Sequence, residues 1–547
     1  MIYPVPIKSA NEGKAVGASS FFVSGDYENV LKRVFSDYKI PLENGGFPIK
    51  ITVKRSERTT YIKELSRLTD EKYFITVKDD GILLEASCEK GVFRAANTLS
   101  KMITSGELFE GETEDYPLFL KRGYIEGFYG APWEQEKRLS VMKLMAQNGM
   151  NTYYYAPKDD IYHREKWSEL YPEKELSKIK ELFNFASGNY FDFYWCIGPG
   201  LSYHYTLKEH FELLMKKFSQ LYSIGIKKFG LLLDDIPNKF QFSDDEEAFG
   251  DIVYAHTDLV NKAYRALKAM DGEIELTVCP TQYSGKGDEF YISEFGTSTP
   301  RDVSLFWTGE EICSRVLTCR EALKLQDTAK HAPLFWDNFP VNDCEMFQEM
   351  HLNYIDGRDK KLYLFCEGII SNVMEYAECS KIPLLTFCDY LWNPECYDKE
   401  VSLKNAHKTV LKDKAELFAY FADHLYVSCL TMYSSPKMSA MFSEFWFLYS
   451  HGEKEKAISL LSAYRKKSEE CSEMLGDYTE PLFSELKKWS AKYKKCCRLL
   501  GLIEKTVSDP SDDNKKELKA VLDDYNADAV VLTGFCLREA ANRALAL

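Results

Sequence analysis

The sequence predicts an α/β protein built on a (β/α)8 (TIM) barrel, with an N-terminal mixed α/β domain and a C-terminal helical bundle. Three observations predict it. Eight short apolar or aromatic runs, separated by helix-length segments, fill about 250 residues in the middle of the chain. The residues before them carry a hairpin and an amphipathic helix. After about residue 401 the strand signals fade and helical periodicity takes over. The predicted divisions are 1–118, 119–400 and 401–547. A chain of 547 residues with 45% hydrophobic and 28% charged residues can bury such cores. That composition excludes disorder, collagen and a pure coiled coil.

In the N-terminal part, Tyr73–Val77 reads as a strand, Lys78–Gly81 as a turn and Ile82–Ala86 as the return strand. Asp80-Gly81 is a hairpin signal. Gly91 precedes Val92–Ile103, where Val92, Ala95, Ala96 and Leu99 fall at helical spacing. No reactive residues gather here, which predicts a structural or docking role. The barrel runs are Arg122–Glu126, Asn151–Ala156, Phe191–Ile197, Lys228–Leu233, Glu275–Cys279, Val303–Trp307, Pro333–Trp336 and Lys361–Phe365. Between them, Glu134–Met150 carries Leu139, Met142, Met145 and Ala146 as an amphipathic helix. Counting only six or seven runs as strands would give an open sheet instead. In the C-terminal part, Lys454–Met474, Pro481–Leu500 and Lys515–Tyr525 have helical periodicity with a charged opposite face, and Ser508–Asn514 is a polar loop. The bundle offers a surface for part of a substrate groove or for a dimer, and the sequence does not choose between them.

Charge and cysteine content narrow the function. There are 69 Lys and Arg against 84 Asp and Glu, a net charge of −15. Such a field repels phosphates, so a nucleic-acid partner is not expected. The start MIYPVPIKSANEGK lacks a basic cap and apolar run, so no signal peptide is expected. No stretch approaches about 18 apolar residues, so no membrane partner is expected. Fifteen cysteines, an odd number without CxxC spacing, predict a reduced cytoplasmic setting. Cys196, Cys279 and Cys366 lie in apolar runs and read as buried thiols. HExxH, Walker A and GxGxxG patterns are missing, and no metal or organic cofactor is expected.

The ends of the barrel strands are where chemistry gathers in this fold. Here they carry Glu126-Gly127-Phe128-Tyr129-Gly130, Pro157-Lys158-Asp159-Asp160, Asp234-Asp235, Thr281-Gln282-Tyr283, Thr308-Gly309, Asp337-Asn338 with Asp343 soon after, and Asn372 beyond Gly368. Taken singly, each reads equally as a loop cap or a solvated residue. Their recurrence on nearly every strand predicts a site. Asp234-Asp235 stands out because it follows the fully apolar Phe229–Leu233. It reads as a helix cap beside a solvated acid, as a metal site, or as an acid–base pair. The metal reading lacks an adjoining histidine or further acid. Two carboxylates forced together cannot both ionise freely, and a protonated acid beside an ionised one suits glycosidic cleavage. Phe128, Tyr129, Trp133, Tyr155, Tyr283, Trp307, Trp336 and Trp392 fall near the inferred rim, where rings pack on the C–H faces of sugars. About half of them are expected in the core.

Four strings carry a family resemblance. They are Arg122–Trp133 (RGYIEGFYGAPW), Asn151–Asp160 (NTYYYAPKDD), Leu233–Ile236 (LDDI) and Trp336–Asp343 (WDNFPVND). In this order they resemble glycoside hydrolase family 84, which includes the protein O-GlcNAcases and bacterial enzymes formerly called hyaluronidases. The likeness is close over about 122–392 and holds only in outline outside it. It implies a retaining β-N-acetylglucosaminidase in which the substrate's own acetamido oxygen attacks the anomeric carbon through an oxazoline. By motif position, Asp234 would hold the acetamido N–H and Asp235 would act as general acid and then base. Gly127 would offer its carbonyl to a sugar hydroxyl and Lys158 would donate to one. Tyr283 would bond the acetamido oxygen, and Trp336 and Thr308 would line its pocket. Asn338, Asp343 and Asn372 would hold the remaining hydroxyls. The implied partner is a glycan or glycoprotein bearing β-linked N-acetylglucosamine. Ile161 stands where some bacterial members have Pro, and Leu233 where relatives often have Phe. Two other readings remain: a sugar-binding barrel without catalysis, and a chitinase-like or hexosaminidase-like barrel, whose strand usually ends Asp-Glu or Asp-x-Glu.

Overall fold

The computed structural model describes residues 2–10, 13–54 and 68–547. The N-terminal part is a six-stranded sheet of β1 (Lys8–Ala10), β2 (Phe21–Gly25), β3 (Phe47–Val53), β4 (Tyr73–Lys78), β5 (Gly81–Ala86) and β6 (Gly111–Asp115), in the order β1-β6-β4-β5-β3-β2. β4 and β5 form the expected hairpin, with Lys78 opposite Gly81. Helix Glu89–Thr104 lies against them and buries Val92, Ala95, Ala96 and Leu99, the predicted stripe.

The middle of the chain closes into a parallel barrel. Its strands are β7 (Lys121–Glu126), β8 (Thr152–Tyr155), β9 (Asp192–Ile197), β10 (Lys228–Leu232), β11 (Glu275–Cys279), β12 (Ser304–Trp307), β13 (Pro333–Asp337) and β14 (Gly368–Asn372). The bore is filled by inward side chains, among them Ile125, Tyr154, Tyr194, Cys196, Leu232, Phe306 and Ile370. Tyr154 stacks on Tyr194 at 4.3 Å, and Phe306 meets Trp336 edge-on at 5.2 Å. The barrel is therefore a packed core with a solid floor beneath its upper mouth.

The eighth strand differs from expectation. Lys361–Phe365 is not a strand; Leu362–Leu364 is a 3₁₀ turn, and Gly368–Asn372 closes the barrel between β13 and β7. Apolar run length misleads here because closure is set by backbone approach. A Cβ on Gly368 would lie 2.0 Å from the Lys121 carbonyl oxygen, so the seam needs glycine there. Among the described residues, the β13–β14 connection contains only two 3₁₀ turns and no α-helix. It is braced by a buried ion pair, with Arg358 bidentate on Asp337 at 2.5 and 2.8 Å.

Helix Ala377–Trp392 completes the barrel, and helices follow to the end of the chain. Lys454–Met474 forms as expected, whereas Pro481–Leu500 divides into Pro481–Glu485 and Lys487–Ser508. Trp489, Tyr493, Cys496, Leu500, Ile503 and Val507 recur at helical spacing on the buried face of the latter. The cysteines are free thiols, and Cys196, Cys279 and Cys366 are buried. No described helix is long and apolar enough to cross a membrane.

One buried charge cluster ties the N-terminal sheet unit to the lower end of the barrel. Glu71 accepts both oxygens' worth of bonds from Arg122 on β7 (2.7 and 2.8 Å) and one from Arg94 (2.8 Å). Arg94 also donates to the Ala146 and Met150 carbonyls, and Arg122 to those of Gly149 and Phe119. Burial alone would raise the Glu71 pKa, but the two guanidinium groups outweigh it and hold the carboxyl below the usual carboxylate range. Burial pulls Arg122 down, yet a guanidinium has too high a baseline to lose its charge.

Replacing Glu71 by Gln leaves two buried cations without their counter-charge, and thermal unfolding at pH 7 should show a loss of about 3–5 kcal/mol. Because the folded pKa is depressed, the stabilisation is present above the unfolded value of about 4.3 and lost as pH falls through the folded one. A variant as stable as wild type at pH 7 would remove the cluster from this account.

Candidate active site

The ten residues to which the resemblance gives roles converge on one cavity of about 640 Å³ at the carboxyl-terminal mouth of the barrel. Its lining includes Gly127, Lys158, Asp234, Asp235, Tyr283, Thr308, Trp336, Asn338, Asp343 and Asn372, together with Tyr129 and Cys279. A larger cavity of about 1000 Å³ lies beside helix Lys399–Leu411. It mixes lysines and acids without a converging pair, so the chemistry points to the smaller one.

The two consecutive acids occupy unlike settings. Asp234 leaves the end of β10 pointing into the barrel mouth and is 8% exposed. Lys158, beyond β8 and equally buried, donates to its Oδ2 at 2.5 Å. Burial pushes the Asp234 pKa up, but the Lys158 ammonium outweighs it and the net direction is down. Burial likewise pushes Lys158 down, and Asp234 and Asp235 more than reverse it. The pair is therefore charged on both sides. Asp235 faces the opening, with a third of its side chain exposed, and its φ of 52° is left-handed. Its Oδ2 accepts from the Tyr129 hydroxyl at 2.8 Å and its Oδ1 from Tyr283 at 2.9 Å. Both phenols have raised pKa values, through burial first, so they stay protonated donors.

The opposite wall is a fixed amide array. Asn338 accepts from Trp336 Nε1 and from Asn372 Nδ2, each at 2.9 Å, and donates to the Ile312 carbonyl. Asn372 Oδ1 is buried with no hydrogen-bond partner, leaving an acceptor for a ligand hydroxyl. Asp343 accepts from the Tyr129 backbone N–H at 2.7 Å, and burial raises its pKa. Gly127 is required by close packing: a Cβ there would lie 2.6 Å from Trp336 and 3.2 Å from Asn372 Oδ1. Thr308 gives its hydroxyl to the Glu311 carbonyl and its N–H to the Tyr283 carbonyl, so it holds the Tyr283 loop in place.

Several residues at the strand ends serve the scaffold. Glu126 is fully buried against Arg138, Tyr153 and Trp133, and Asp160 accepts from the Tyr155 and Tyr171 hydroxyls. Of the rim aromatics, Tyr129, Tyr283 and Trp336 line the cavity. Phe128, Trp133 and Trp307 are core, and Trp392 sits at the opposite end of the barrel, over Arg122 and bonded to Asp115. Its neighbourhood in the motif-rich stretch misled, because a helix-length segment carries it back down the barrel. Sequence reasoning also passed over Arg164, which donates to the Tyr129 hydroxyl and the Asp235 carbonyl. No chemical pattern in the sequence marks it.

A family profile described as beta-N-acetylglucosaminidase matches residues 122–423, more than half of the chain and all of this site. The chain belongs to that family, glycoside hydrolase family 84. Protein O-GlcNAcases of Rattus norvegicus and Mus musculus are each 30% identical to it over 257 residues. That stretch is 46% of this chain but only 27% of the rodent proteins' length. Among solved structures, a Thermobaculum terrenum O-GlcNAc hydrolase variant is 29% identical, covering 78% of this chain and 95% of its own, with a TM-score of 0.75. CpGH84B is 25% identical over the whole of both chains, with a TM-score of 0.86. The family places this chain among the glycoside hydrolases.

The Lys158–Asp234 pair sets a measurable property of this family 84 site. In Lys158→Met, burial acts on Asp234 without its counter-charge, and the carboxyl pKa followed by NMR should move from below 3.8 to above it. Stability at pH 7 should fall by about 3–5 kcal/mol, and Lys158→Met with Asp234→Asn should recover part of it. An unmoved Asp234 titration would contradict the pairing.

Proposed function

We propose that the protein is a retaining β-N-acetylglucosaminidase of O-GlcNAcase type, which removes terminal β-linked N-acetylglucosamine from proteins or glycans. The observation that carries this reading is the unlike setting of two consecutive carboxylates in one cavity. A buried acid kept ionised suits the stabilisation of a positive charge developing close by. An acid at the opening, reached only by neutral donors within hydrogen-bond distance, suits proton exchange with a leaving group.

In the proposed reaction the acetamido oxygen attacks the anomeric carbon as the bond to the leaving oxygen breaks. Asp235 gives its proton to that oxygen. Asp234 accepts the acetamido N–H and balances the positive charge of the oxazolinium. Water then attacks the anomeric carbon, Asp235 takes its proton, and the acetamido group is restored. No enzyme nucleophile is needed, an accepted exception to the two-carboxylate scheme. Trp336 supplies the wall for the acetamido methyl. Tyr283 turns from Asp235 to the acetamido oxygen on binding and orients it. Lys158, Asn338, Asp343, the free oxygen of Asn372 and the Gly127 carbonyl take the sugar hydroxyls. The names of the rodent relatives support a glycoprotein substrate.

Product stereochemistry, leaving-group dependence and KM test the reading. Product released from an aryl β-N-acetylglucosaminide should appear first as the β-anomer by NMR; an α-anomer would overturn retention. Asp235→Ala should lose about 100-fold or more in kcat/KM on alkyl glycosides and less than about tenfold on a dinitrophenyl glycoside, since an acidic phenol leaves without help. Equal losses would deny Asp235 the acid role. Sugar binding without turnover by the wild-type protein would favour a binding barrel. Gly127→Ala should raise KM by about tenfold, because the new methyl meets Trp336 and Asn372; an unchanged KM would move the sugar elsewhere.

A further inference from the structure

We propose that Arg164 is the positioning residue that aims the Asp235 carboxyl, acting through Tyr129 and through the Asp235 main chain. The inference rests on the acid–base role proposed for Asp235.

Asp235 needs outside support. Its φ of 52° puts a side-chain-bearing residue in the left-handed region, which costs more than the right-handed one, so contacts that hold its main chain there matter. Arg164 supplies two of the contacts. Its Nη2 donates to the Asp235 carbonyl oxygen at 2.9 Å, and its Nη1 to the Tyr129 hydroxyl at 2.7 Å. The Tyr129 hydroxyl in turn donates a hydrogen bond to Asp235 Oδ2 at 2.8 Å. One planar guanidinium thus fixes both the backbone and, through a phenol, the side chain of the same residue.

Arg164 has a firm mounting. His163, immediately before it, is fully buried; its ring meets the Cys196 carbonyl and its own carbonyl accepts from Gly198 N–H. Trp167 is buried and donates to Ser202. The arginine is therefore carried by a loop pinned to β9 and its following turn, not by a free surface segment.

The indirect contact has a chemical reason. A guanidinium placed directly on the carboxylate would favour the ionised form and disable the acid step. Contacts to a phenol and a carbonyl set direction without binding the acid's own oxygens. Among the described residues, the hydrogen bonds to the Asp235 carboxyl come from Tyr129 and Tyr283. Once Tyr283 turns to the acetamido oxygen, the Arg164–Tyr129 arm is what remains. A lysine cannot replace it, because an ammonium lacks the rigid fork that spans two acceptors.

The test compares Arg164→Met, Arg164→Lys, Tyr129→Phe and the Arg164→Met/Tyr129→Phe double variant with wild type. Substrates are a dinitrophenyl and an alkyl β-N-acetylglucosaminide. Arg164→Met and Tyr129→Phe should each lose about 30–100-fold in kcat/KM on the alkyl glycoside and less than about fivefold on the dinitrophenyl one. Arg164→Lys should fall between wild type and Arg164→Met. The double variant should lose far less than the product of the single losses, because both act along one path. Equal losses on the two substrates, or losses that simply multiply, would overturn the proposal. Tyr129→Phe removes a single oxygen, so it carries the comparison if Arg164→Met does not fold. Wild-type turnover of the dinitrophenyl glycoside separates the outcomes: none would sink the proposed function, whereas turnover with leaving-group-independent losses would sink this inference alone.

Discussion

Two adjacent carboxylates repel each other, and a single buried ammonium resolves that repulsion. Lys158 lies 2.5 Å from Asp234 and 3.8 Å from the Oδ2 of Asp235, so it neutralises the inner acid and leaves the outer one to neutral hydroxyl donors. The simple expectation for a carboxylate pair is that mutual repulsion alone holds one proton. Here the two acids are given unlike surroundings: burial and one cation for Asp234, the opening and two phenols for Asp235. The rest of the site follows from keeping those groups in place, because a few tenths of an ångström decide whether a charge-assisted bond of this kind forms.

The barrel supplies that constancy. Phe306 meets Trp336 edge-on, Trp336 bonds Asn338, and Asn338 bonds Asn372, so one chain of contacts runs from the packed bore to the cavity wall. On the other side, the loop after β8 is pinned by His163 and Asp160 and carries both Lys158 and Arg164. At the opposite end, the Glu71–Arg94–Arg122 cluster fastens the N-terminal sheet under the barrel. The upper mouth is thus free to hold strained and charged groups such as Asp235.

Most of the fold was legible because barrel strands buried on both faces read as continuous apolar runs, and seven of the eight runs overlap the strands observed. The eighth was missed because its defining feature is a glycine at a crowded seam, which an apolar count ranks below the nearby Leu362–Phe365. The site was legible where polar residues ended apolar strands, and the resemblance then sorted Asp234, Lys158 and Asn372 from bystanders. Glu126, Asp160 and Asp337 end strands in the same way, yet they pair inside the scaffold, a distinction that lives in tertiary contacts. Arg164 was invisible for the complementary reason: its role depends on which carbonyl and which phenol the fold brings to it.

In the proposed reaction the substrate's acetamido oxygen is the nucleophile, held by Asp234. Its most direct test is a series of aryl glycosides whose acetamido methyl carries zero, one, two or three fluorines. Fluorine withdraws electrons from the carbonyl oxygen while changing its size little. With the acetamido oxygen as nucleophile, kcat/KM should fall steeply and steadily with each fluorine, and the slope should flatten when Asp234 is replaced by Ala. A rate independent of fluorine content would contradict it and require a nucleophile from the protein or from water.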